Sequence, residues 1–425
     1  MRKNYLWYNL FRLGITKTGL YFFYSKIEII GQKNIPKNKP FILLPNHQNS
    51  FMDALLVCTH VPGYIFFLTR AGAFSTKFMN WFLRSLNMLP VYRVRDGLSS
   101  VTKNNEIFDF CVRSLEKRHP ILVFPEANHD LRRRIRPLSK GFTRIAFDAE
   151  VQNNWQLDLQ ILPVGVNYSE HRRSRNRVSV VIEEPIPMQK YKELFEADER
   201  KAANSLKNEA AAAMKKTVMH VPNLDHYPLH QIVLTDLEND TRTYIQPEIA
   251  NENVAKIDAH ITSELAETAR QVLEISNKYD ISIKTIHGRK KPLIYLILLF
   301  PFYIFSWFNN IIPYLPVRKV INEKIKDHAF DASIKFLLGL ILFPLFWWII
   351  AGVLWISGVP NVYVLGYLVL SVFTSVFFKN SNLFLRGASM RARYKKMKET
   401  RPEDYKTFSK GLEILNEFRL KVLKE

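Results

Sequence analysis

Cysteine and negative charge are both scarce in this chain of 425 residues. The two cysteines, Cys58 and Cys111, stand in apolar stretches, so we expect buried reduced thiols and neither a disulfide nor a metal site. The 39 Asp and Glu residues are outnumbered by 60 Lys and Arg, which gives a formal net charge of +21. A surplus of this size indicates a nucleic acid, an anionic lipid surface or an anionic substrate as partner.

Charge is missing altogether from two long stretches, residues 292–317 and 336–378, which contain no Asp, Glu, Lys, Arg or His. A membrane-spanning helix needs about 20 apolar residues, so the second stretch is long enough for two. The pattern favours anionic lipid over nucleic acid, because an anionic leaflet attracts each adjacent basic residue by about 1 kcal/mol.

The stretch 336–378 predicts a helical hairpin, with spans Leu337–Ile356 and Val362–Phe378 joined by a short turn. Lys335 and Lys379 flank the hairpin, and the positive-inside bias then predicts that both of its ends lie in the cytoplasm. Prolines and asparagines interrupt the other stretch, 292–317, and basic residues stand on both of its flanks. It predicts a re-entrant or interfacial pair of segments, with a straight span as the alternative.

The remaining chain divides by composition. Residues 27–190 alternate short apolar runs with helical patterns, which predicts an α/β fold: a mostly buried mixed sheet flanked by helices. We expect 1–26 to form amphipathic helices, 191–290 a helical region without chemistry, 291–380 the membrane segments and 381–425 a basic cytoplasmic tail. Aromatic residues of the first segment suit either the membrane interface or the protein's own core. Arg12 and Lys17 interrupt the apolar residues of that segment, whereas a signal peptide has an uninterrupted apolar run. We therefore expect the catalytic part to lie on the cytoplasmic face.

The first motif with chemical potential is NHQNSFMD, residues 46–53. His47 follows a predicted strand, and Asp53 stands at the start of a predicted helix. A hydroxyl nucleophile is weak at neutral pH and needs a base within hydrogen-bond reach, for which imidazole is well suited. A carboxylate on its other nitrogen would fix the imidazole tautomer. Asn46, next to His47, is a possible further site residue. Taken alone, a histidine and an aspartate at this spacing more often indicate a structural histidine than a catalytic one.

Two further motifs are suited to bind a substrate that carries both the attacking hydroxyl and a phosphate, which we call the acceptor. Arg93 and Arg95 in LPVYRVRD would point the same way on an extended segment and could bind a phosphate, although a charged edge strand is the alternative. In VFPEANHD, Glu126 ends a buried strand and could bind the acceptor's free hydroxyls. A basic stretch follows at 132–140, and its last residue, Lys140, precedes a predicted helix start that favours an anion.

The fourth motif, ILPVGV (161–166), predicts an apolar strand that either lines the path of an acyl chain or only packs in the core.

Taken in order, NHQNSFMD, PVYR, FPEANHD and ILPVGV resemble the four motif blocks of the glycerolipid acyltransferases, the glycerol-3-phosphate and lysophosphatidate acyltransferase superfamily. The resemblance covers roughly residues 25–190. It implies that His47 is the general base and Asp53 its partner, and that Arg93 and Glu126 bind the acceptor, with Arg95 as a substitute for Arg93. It implies no metal and no cofactor, with acyl-CoA or acyl carrier protein as co-substrate.

The motifs depart from the commonest family pattern in two places. In both places they resemble the motifs of a variant sub-branch that includes fungal enzymes acting on glycerol 3-phosphate or dihydroxyacetone phosphate. Five residues separate His47 from Asp53 where four are usual, and Ala127-Asn128-His129 replaces Gly-Thr-Arg. In that sub-branch a His-Asp pair follows Pro-Glu, which makes His129 and Asp130 possible site residues.

The function expected from these motifs is acyl transfer in phospholipid synthesis, with lysophosphatidate as acceptor because the membrane segments suit a lipid. Glycerol 3-phosphate or dihydroxyacetone phosphate is the alternative acceptor. A CoA-independent transacylase and a non-catalytic lipid-binding protein remain rival functions. The expected partners are membrane lipid, an acyl thioester and a glycerophosphate acceptor, and no nucleic acid.

Overall fold

The computed structural model describes residues 4–92, 104–287 and 299–423, without the side chains of 379–385. The predicted phosphate ligands Arg93 and Arg95 lie outside these residues. The chain forms two compact units, which we call the sheet unit (Met1–Tyr21, Lys26–His171 and Val178–His220) and the helical unit (Phe22–Ser25, Arg172–Arg177 and Val221–Glu425).

The sheet unit contains a mixed eight-stranded sheet, which confirms the predicted α/β class. Its strands are β1 (Lys26–Ile30), β2 (Phe41–Pro45), β3 (Phe66–Arg70), β4 (Met88–Val91), β5 (Ile121–Leu122), β6 (Gln160–Tyr168), β7 (Arg177–Ile182) and β8 (Ile186–Pro187). Their order across the sheet is β1-β7-β6-β2-β5-β3-β4, with β8 also paired to β6. Strands β4, β3, β5, β2 and β6 run parallel, whereas β7 and β8 are antiparallel to β6.

The central strands β2 and β6 are buried along their whole length. Residues of both are almost all apolar, as expected for strands covered on two faces. Because β2 lies between β5 and β6 and is parallel to both, the carboxyl ends of these three strands meet at one edge of the sheet. The first and third motif blocks directly follow strands β2 and β5, and the second and fourth blocks overlap strands β4 and β6.

Helices cover the sheet. In the sheet unit they are α1 (Tyr5–Asn9), α2 (Thr18–Phe23, whose last two residues belong to the helical unit), α3 (Phe51–His60), α4 (Lys77–Ser85), α5 (Asn104–Glu116), α6 (Gly141–Gln152), α7 (Lys192–Ala197) and α8 (Glu199–Lys216). A π-helix (Leu10–Lys17) joins α1 to α2, so the predicted amphipathic segment is helical. Cys58 and Cys111 are buried and free, as predicted.

Helix α8 packs on β6 and belongs to the sheet unit, which continues to His220, whereas composition predicts a separate helical region from residue 191 onwards. Its buried residues, Ala202, Leu206, Ala210 and Met214, repeat every four positions and form a narrow stripe. The chain after α8 approaches β6 so closely that a Cβ atom on Gly165 would lie 2.0 Å from the carbonyl oxygen of Thr217.

The helical unit begins with short helices and ends with long ones. They are α9 (Tyr227–Gln231), α10 (Arg242–Ile245), α11 (Pro247–Asp258), α12 (Ser263–Lys278), α13 (Ile283–His287), α14 (Phe300–Lys324), α15 (Asp331–Ile356), α16 (Asn361–Thr400) and α17 (Pro402–Val422), with a π-helix at Ile232–Asp236. The expected basic tail is thus helical: α16 continues to Thr400, and α17 follows it.

Among the described residues, two segments are long and apolar enough to cross a membrane by length and composition, His328–Ile356 and Asn361–Phe378, and they overlap the two spans of the predicted hairpin. Of the stretch 292–317, the structure describes residues 299–317, and from Phe300 they belong to one helix that continues through Pro313 and Pro316. Whether the stretch re-enters, lies in the interface or spans the membrane stays a prediction.

Candidate active site

Three neighbouring strands deliver the main polar groups to one edge of the sheet. His47 comes two residues after β2, Glu126 four residues after β5, and Tyr168 is the last residue of β6. Since β5, β2 and β6 are adjacent and parallel, these residues converge although they are far apart in the chain. Ligands of open α/β sheets gather at this edge.

The His47 and Asp53 side chains face each other, with Nδ1 of the imidazole 3.1 Å from Oδ2 of the carboxylate. The carboxylate is fully buried, whereas the imidazole keeps a 16% exposed fraction. A carboxylate oxygen can only accept, so this contact makes Nδ1 the donor and leaves the lone pair on Nε2. The imidazole is also stacked on the ring of Phe124, with centroids 4.0 Å apart.

The chain between His47 and Asp53 makes a tight turn before α3 begins. The N–H of Met52 donates to the carbonyl of Asn49 at 3.1 Å, and Ser50 between them has φ 48° and ψ −124°. This is the backbone conformation of a type II′ turn, which residues other than glycine seldom adopt. The turn accommodates five intervening residues while the two side chains stay paired.

Asp53 has two further donors that the sequence did not single out. The backbone N–H of Asn49 donates to Oδ2 at 2.8 Å, and the hydroxyl of Tyr168 donates to Oδ1 at 2.6 Å. Tyr168 is fully buried, and charge-assisted O–H···O contacts of this length are strong. Both carboxylate oxygens are therefore fixed, and with them the plane in which His47 is held.

Glu126, which was predicted to bind the acceptor, forms hydrogen bonds with other residues of the protein. Its Oε1 accepts the backbone N–H of His47 at 3.0 Å, and its Oε2 accepts both the backbone N–H and the Nε–H of Arg136, at 3.2 and 2.8 Å. Burial raises the pKa of Glu126, and the hydrogen bonds and charge of Arg136 oppose that shift. Arg136 also donates to the carbonyl of Asn128. Glu126 thus connects the His47 backbone to the basic stretch, a contact that we did not predict.

The other predicted site residues divide by location. Asn46 is fully buried, and its side chain accepts the N–H of Val166 at 2.7 Å and donates to the carbonyl of the same residue at 3.2 Å. It fastens the end of β2 to β6. Lys140 is exposed and directly precedes α6, which begins at Gly141 as predicted.

His129 and Asp130 both lie against His47. The His129 ring stands edge-on to the imidazole, with centroids 5.6 Å apart, and the Asp130 N–H donates to the His47 carbonyl at 3.1 Å. Burial alone would raise the pKa of the Asp130 carboxyl, but its hydrogen bonds and ion pair with Arg132 outweigh burial and lower it.

Two neutral histidines hold the surrounding loops. His171 contacts the side-chain oxygen of Gln48 at 3.0 Å through Nε2, and burial, helped by the charge of Arg133, lowers its pKa well below the usual value. His220 accepts the backbone N–H of Ile135 through Nδ1 at 3.0 Å. Burial lowers the pKa of His220 to about 4, and Lys215 and Arg134 add to the shift.

The site can act as a general base on a hydroxyl that reaches Nε2 of His47. Within the described parts of the chain, no group of three or more His, Cys, Asp or Glu side chains is arranged to hold a metal ion. The N–H groups of His47 and Asn49 are already engaged by Glu126 and Asp53, so neither is available to an oxyanion.

Comparison with known proteins gives one family match and one similar solved structure to report. The sequence model of the Acyltransferase family matches residues 26–167. The crystal structure of the 1-acyl-sn-glycerophosphate (LPA) acyltransferase PlsC from Thermotoga maritima is 22% identical, with a TM-score of 0.34. That match covers 50% of this chain and 84% of the PlsC chain, and it is too distant to support an argument about substrate. No curated protein matches the sequence. The match to the Acyltransferase family covers residues 26–167, which include all four of the sequence blocks, and it agrees with the resemblance that those blocks carry.

Proposed function

We propose that the protein is membrane-bound and transfers a fatty acyl group from a thioester donor to the hydroxyl of lysophosphatidate. The observation that carries this proposal is the buried Asp53 carboxylate, which orients His47 so that Nε2 is directed away from Asp53. An acyl transfer between a thioester and an alcohol requires such a base and no cofactor.

The reaction then proceeds in two proton transfers. Nε2 of His47 takes the proton of the acceptor hydroxyl as the oxygen attacks the thioester carbonyl carbon. When the tetrahedral intermediate collapses, the C–S bond breaks and the imidazolium returns the proton to the leaving thiolate. The products are the acylated acceptor and free thiol, and His47 is regenerated. General base catalysis of this kind contributes about 10²–10⁴-fold to the rate.

Basic residues would hold the acceptor phosphate. Arg93 or Arg95 is proposed as the main ligand, with help from Lys140 and the stretch 132–136. Arg136 takes part through Glu126, because their ion pair at 2.8 Å joins the phosphate-binding stretch to the backbone of His47. Binding of the phosphate would therefore be coupled to the position of the base.

Lysophosphatidate is favoured as acceptor because the same chain has a hairpin of apolar helices, α15 and α16, suited to a membrane. The positive-inside bias favours a cytoplasmic position for both ends of that hairpin and for the catalytic domain. Glycerol 3-phosphate is the second candidate, favoured by the five-residue spacing in the first motif and by the His129-Asp130 pair.

Full-length protein in membranes should transfer radiolabelled acyl groups from acyl-CoA to lysophosphatidate faster than to glycerol 3-phosphate. His47→Ala should lower the rate by about 10²–10⁴-fold. His260→Ala is the matched control, because His260 is exposed and its side chain contacts the backbone carbonyl of Lys256 in the preceding helix α11. A His47→Ala rate near that of the control would exclude His47 as the base. Absence of transfer to either acceptor, with lipid recovered bound to the protein, would favour a lipid-binding function.

A further inference from the structure

Two helical segments of the sheet unit carry large apolar side chains on exposed faces. In the N-terminal segment, Leu6, Leu10 and Leu13 recur at helical spacing and are 83%, 52% and 41% exposed. In α4, Phe78 and Trp81 are 65% and 60% exposed. A helix that packs on its own protein in water turns such residues inward, so these faces indicate a further partner.

Ring contacts join the two faces into one surface. Trp7 packs on Phe11 with ring centroids 4.5 Å apart, and Phe11 packs on Phe82 of α4 at 5.8 Å. Phe82 is in turn stacked on Phe78 at 6.0 Å, and the indole N–H of Trp7 donates to the hydroxyl of Ser85 at 3.1 Å. The N-terminal segment and α4 therefore hold each other in place. The exposed residues of their common surface, which we call the apolar patch, are Leu6, Leu10, Leu13, Phe78 and Trp81.

The chain that forms the apolar patch and its surroundings has no negative charge. Residues 1–27 and 54–95 contain ten Lys and Arg and no Asp or Glu, so all 39 acidic residues lie elsewhere. Arg70, at the end of β3, and Lys77, the first residue of α4, are both exposed. An apolar surface with a purely basic surround is complementary to a bilayer with anionic headgroups, which attract each adjacent basic residue about five-fold more strongly.

An anionic bilayer fits this surface better than a protein partner does. Helices that lie in the membrane interface combine Leu, Phe and Trp on one face with Lys and Arg on the other. Trp81 suits that depth, because tryptophan is enriched where hydrocarbon meets the headgroups. Protein–protein interfaces are depleted of lysine, whereas Lys17 and Lys77 belong to the two helical segments that form the patch.

We propose that the apolar patch is a membrane-docking surface, through which the sheet unit enters the interface of an anionic bilayer without crossing it. This goes beyond the proposed function, because it gives the catalytic unit a membrane contact of its own. It holds whether or not the apolar helices α15 and α16 span the membrane. Docking keeps the sheet unit at the surface where a lipid acceptor and its acylated product reside.

Single-cysteine variants of the full-length protein test the docking surface. Each is labelled with an environment-sensitive fluorophore and reconstituted into vesicles of anionic lipid in which part of the acyl chains is brominated and quenches a fluorophore in their reach. Cys58 and Cys111 are buried, so the parent protein sets a low background. Labels at Leu10→Cys and Trp81→Cys report the apolar patch. Lys192→Cys is the matched control, because Lys192 is exposed on α7 of the same unit, outside the patch.

We expect the labels at Leu10→Cys and Trp81→Cys to be quenched several-fold more than the label at Lys192→Cys. A label at Ile349→Cys, on an exposed position of α15, reports the hairpin separately. Patch labels quenched no more than the control, with Ile349→Cys still quenched, would overturn the docking surface and leave the proposed membrane location intact. A blue shift of the patch labels without lipid quenching would assign the patch to a second copy or another protein, and would also overturn it.

The role of charge is tested in the Trp81→Cys background. Lys17→Gln combined with Lys77→Gln should lower the docking equilibrium about 25-fold in anionic vesicles, because each basic residue contributes about five-fold. Lys192→Gln combined with Lys201→Gln removes the same charge from exposed positions outside the patch and should leave the quenching unchanged. Equal quenching of the two double variants in anionic vesicles would refute anionic lipid as the partner of the patch.

Discussion

Removing the Tyr168 hydroxyl tests whether Asp53 must be held in position for His47 to act. In Tyr168→Phe the 2.6 Å hydrogen bond to Oδ1 of Asp53 is lost, while the ring can stay in place. A hydrogen bond to a charged group contributes about 1.5–3 kcal/mol, and the buried oxygen is left without that donor. If the whole loss appears in the transition state, kcat falls about 10- to 100-fold, since about 1.4 kcal/mol corresponds to a factor of ten.

The assay is steady-state acyl transfer with both substrates varied. We expect kcat to fall and the KM values to stay near those of the parent protein, because Tyr168 is fully buried and acts through Asp53. Asp53→Asn should cost more than Tyr168→Phe, because it also removes the acceptor that fixes the His47 tautomer.

Tyr191→Phe is the matched control. The Tyr191 hydroxyl also donates to a carboxylate oxygen at 2.6 Å, that of Glu209, but it has no contact with His47 or Asp53. This variant should lose stability without losing kcat. Equal kcat values for Tyr168→Phe and Tyr191→Phe, or a change confined to KM, would refute the positioning role of Tyr168.

Three further predictions concern the loops around the site. Glu126→Gln should lower both activity and the free energy of unfolding, the latter by about 1.5–3 kcal/mol, because His47 and Arg136 donate to different oxygens of Glu126 and the glutamine NH2 group would face one of these donors; chemical denaturation that matches the parent protein would contradict this. Ala127 has φ 60°, so Ala127→Gly should relieve about 1–2 kcal/mol of strain, less the entropy that glycine adds to the unfolded chain, and a lowered melting temperature would count against it. His220 has its pKa lowered to about 4 when folded, so the folded state binds fewer protons than the unfolded state between about pH 6.5 and pH 4, and stability should fall as the pH drops through that window. His220→Gln keeps an acceptor for Ile135 and should make the melting temperature less sensitive to pH there; identical pH profiles of the two proteins would exclude His220 as the cause.

The pairing of His47 with Asp53 could be predicted because both lie in one short segment between a strand and a helix. The approach of Glu126 also followed from sequence, because a residue after a buried parallel strand must reach the same sheet edge. Its partners did not follow, because the sequence alone does not show which of the basic residues from 132 to 140 folds back onto it. Arg136 does so through its backbone N–H as well as its side chain.

Tyr168 could not be identified from its own segment, where it is one more aromatic residue at the end of an apolar strand. Its role depends on β6 lying beside β2, and the order of strands across a sheet is set by packing over the whole unit. The place of α8 was missed for a related reason. Its apolar stripe is narrow and half alanine, so the helix resembles one exposed to water until its contact with β6 is known.

The contact of β6 with the chain after α8 has a practical consequence for anyone who wishes to express the catalytic part alone. The Asn167 side chain donates to the carbonyl of Thr217 at 2.9 Å and accepts the N–H of Met219 at 3.3 Å. Thr217 also packs so closely on Gly165 that no side chain would fit at that position. A fragment that stops at residue 190, where the motif blocks end, would expose this surface of β6 one strand away from His47. Truncations should therefore retain the chain at least to His220, which also holds the basic stretch through Ile135.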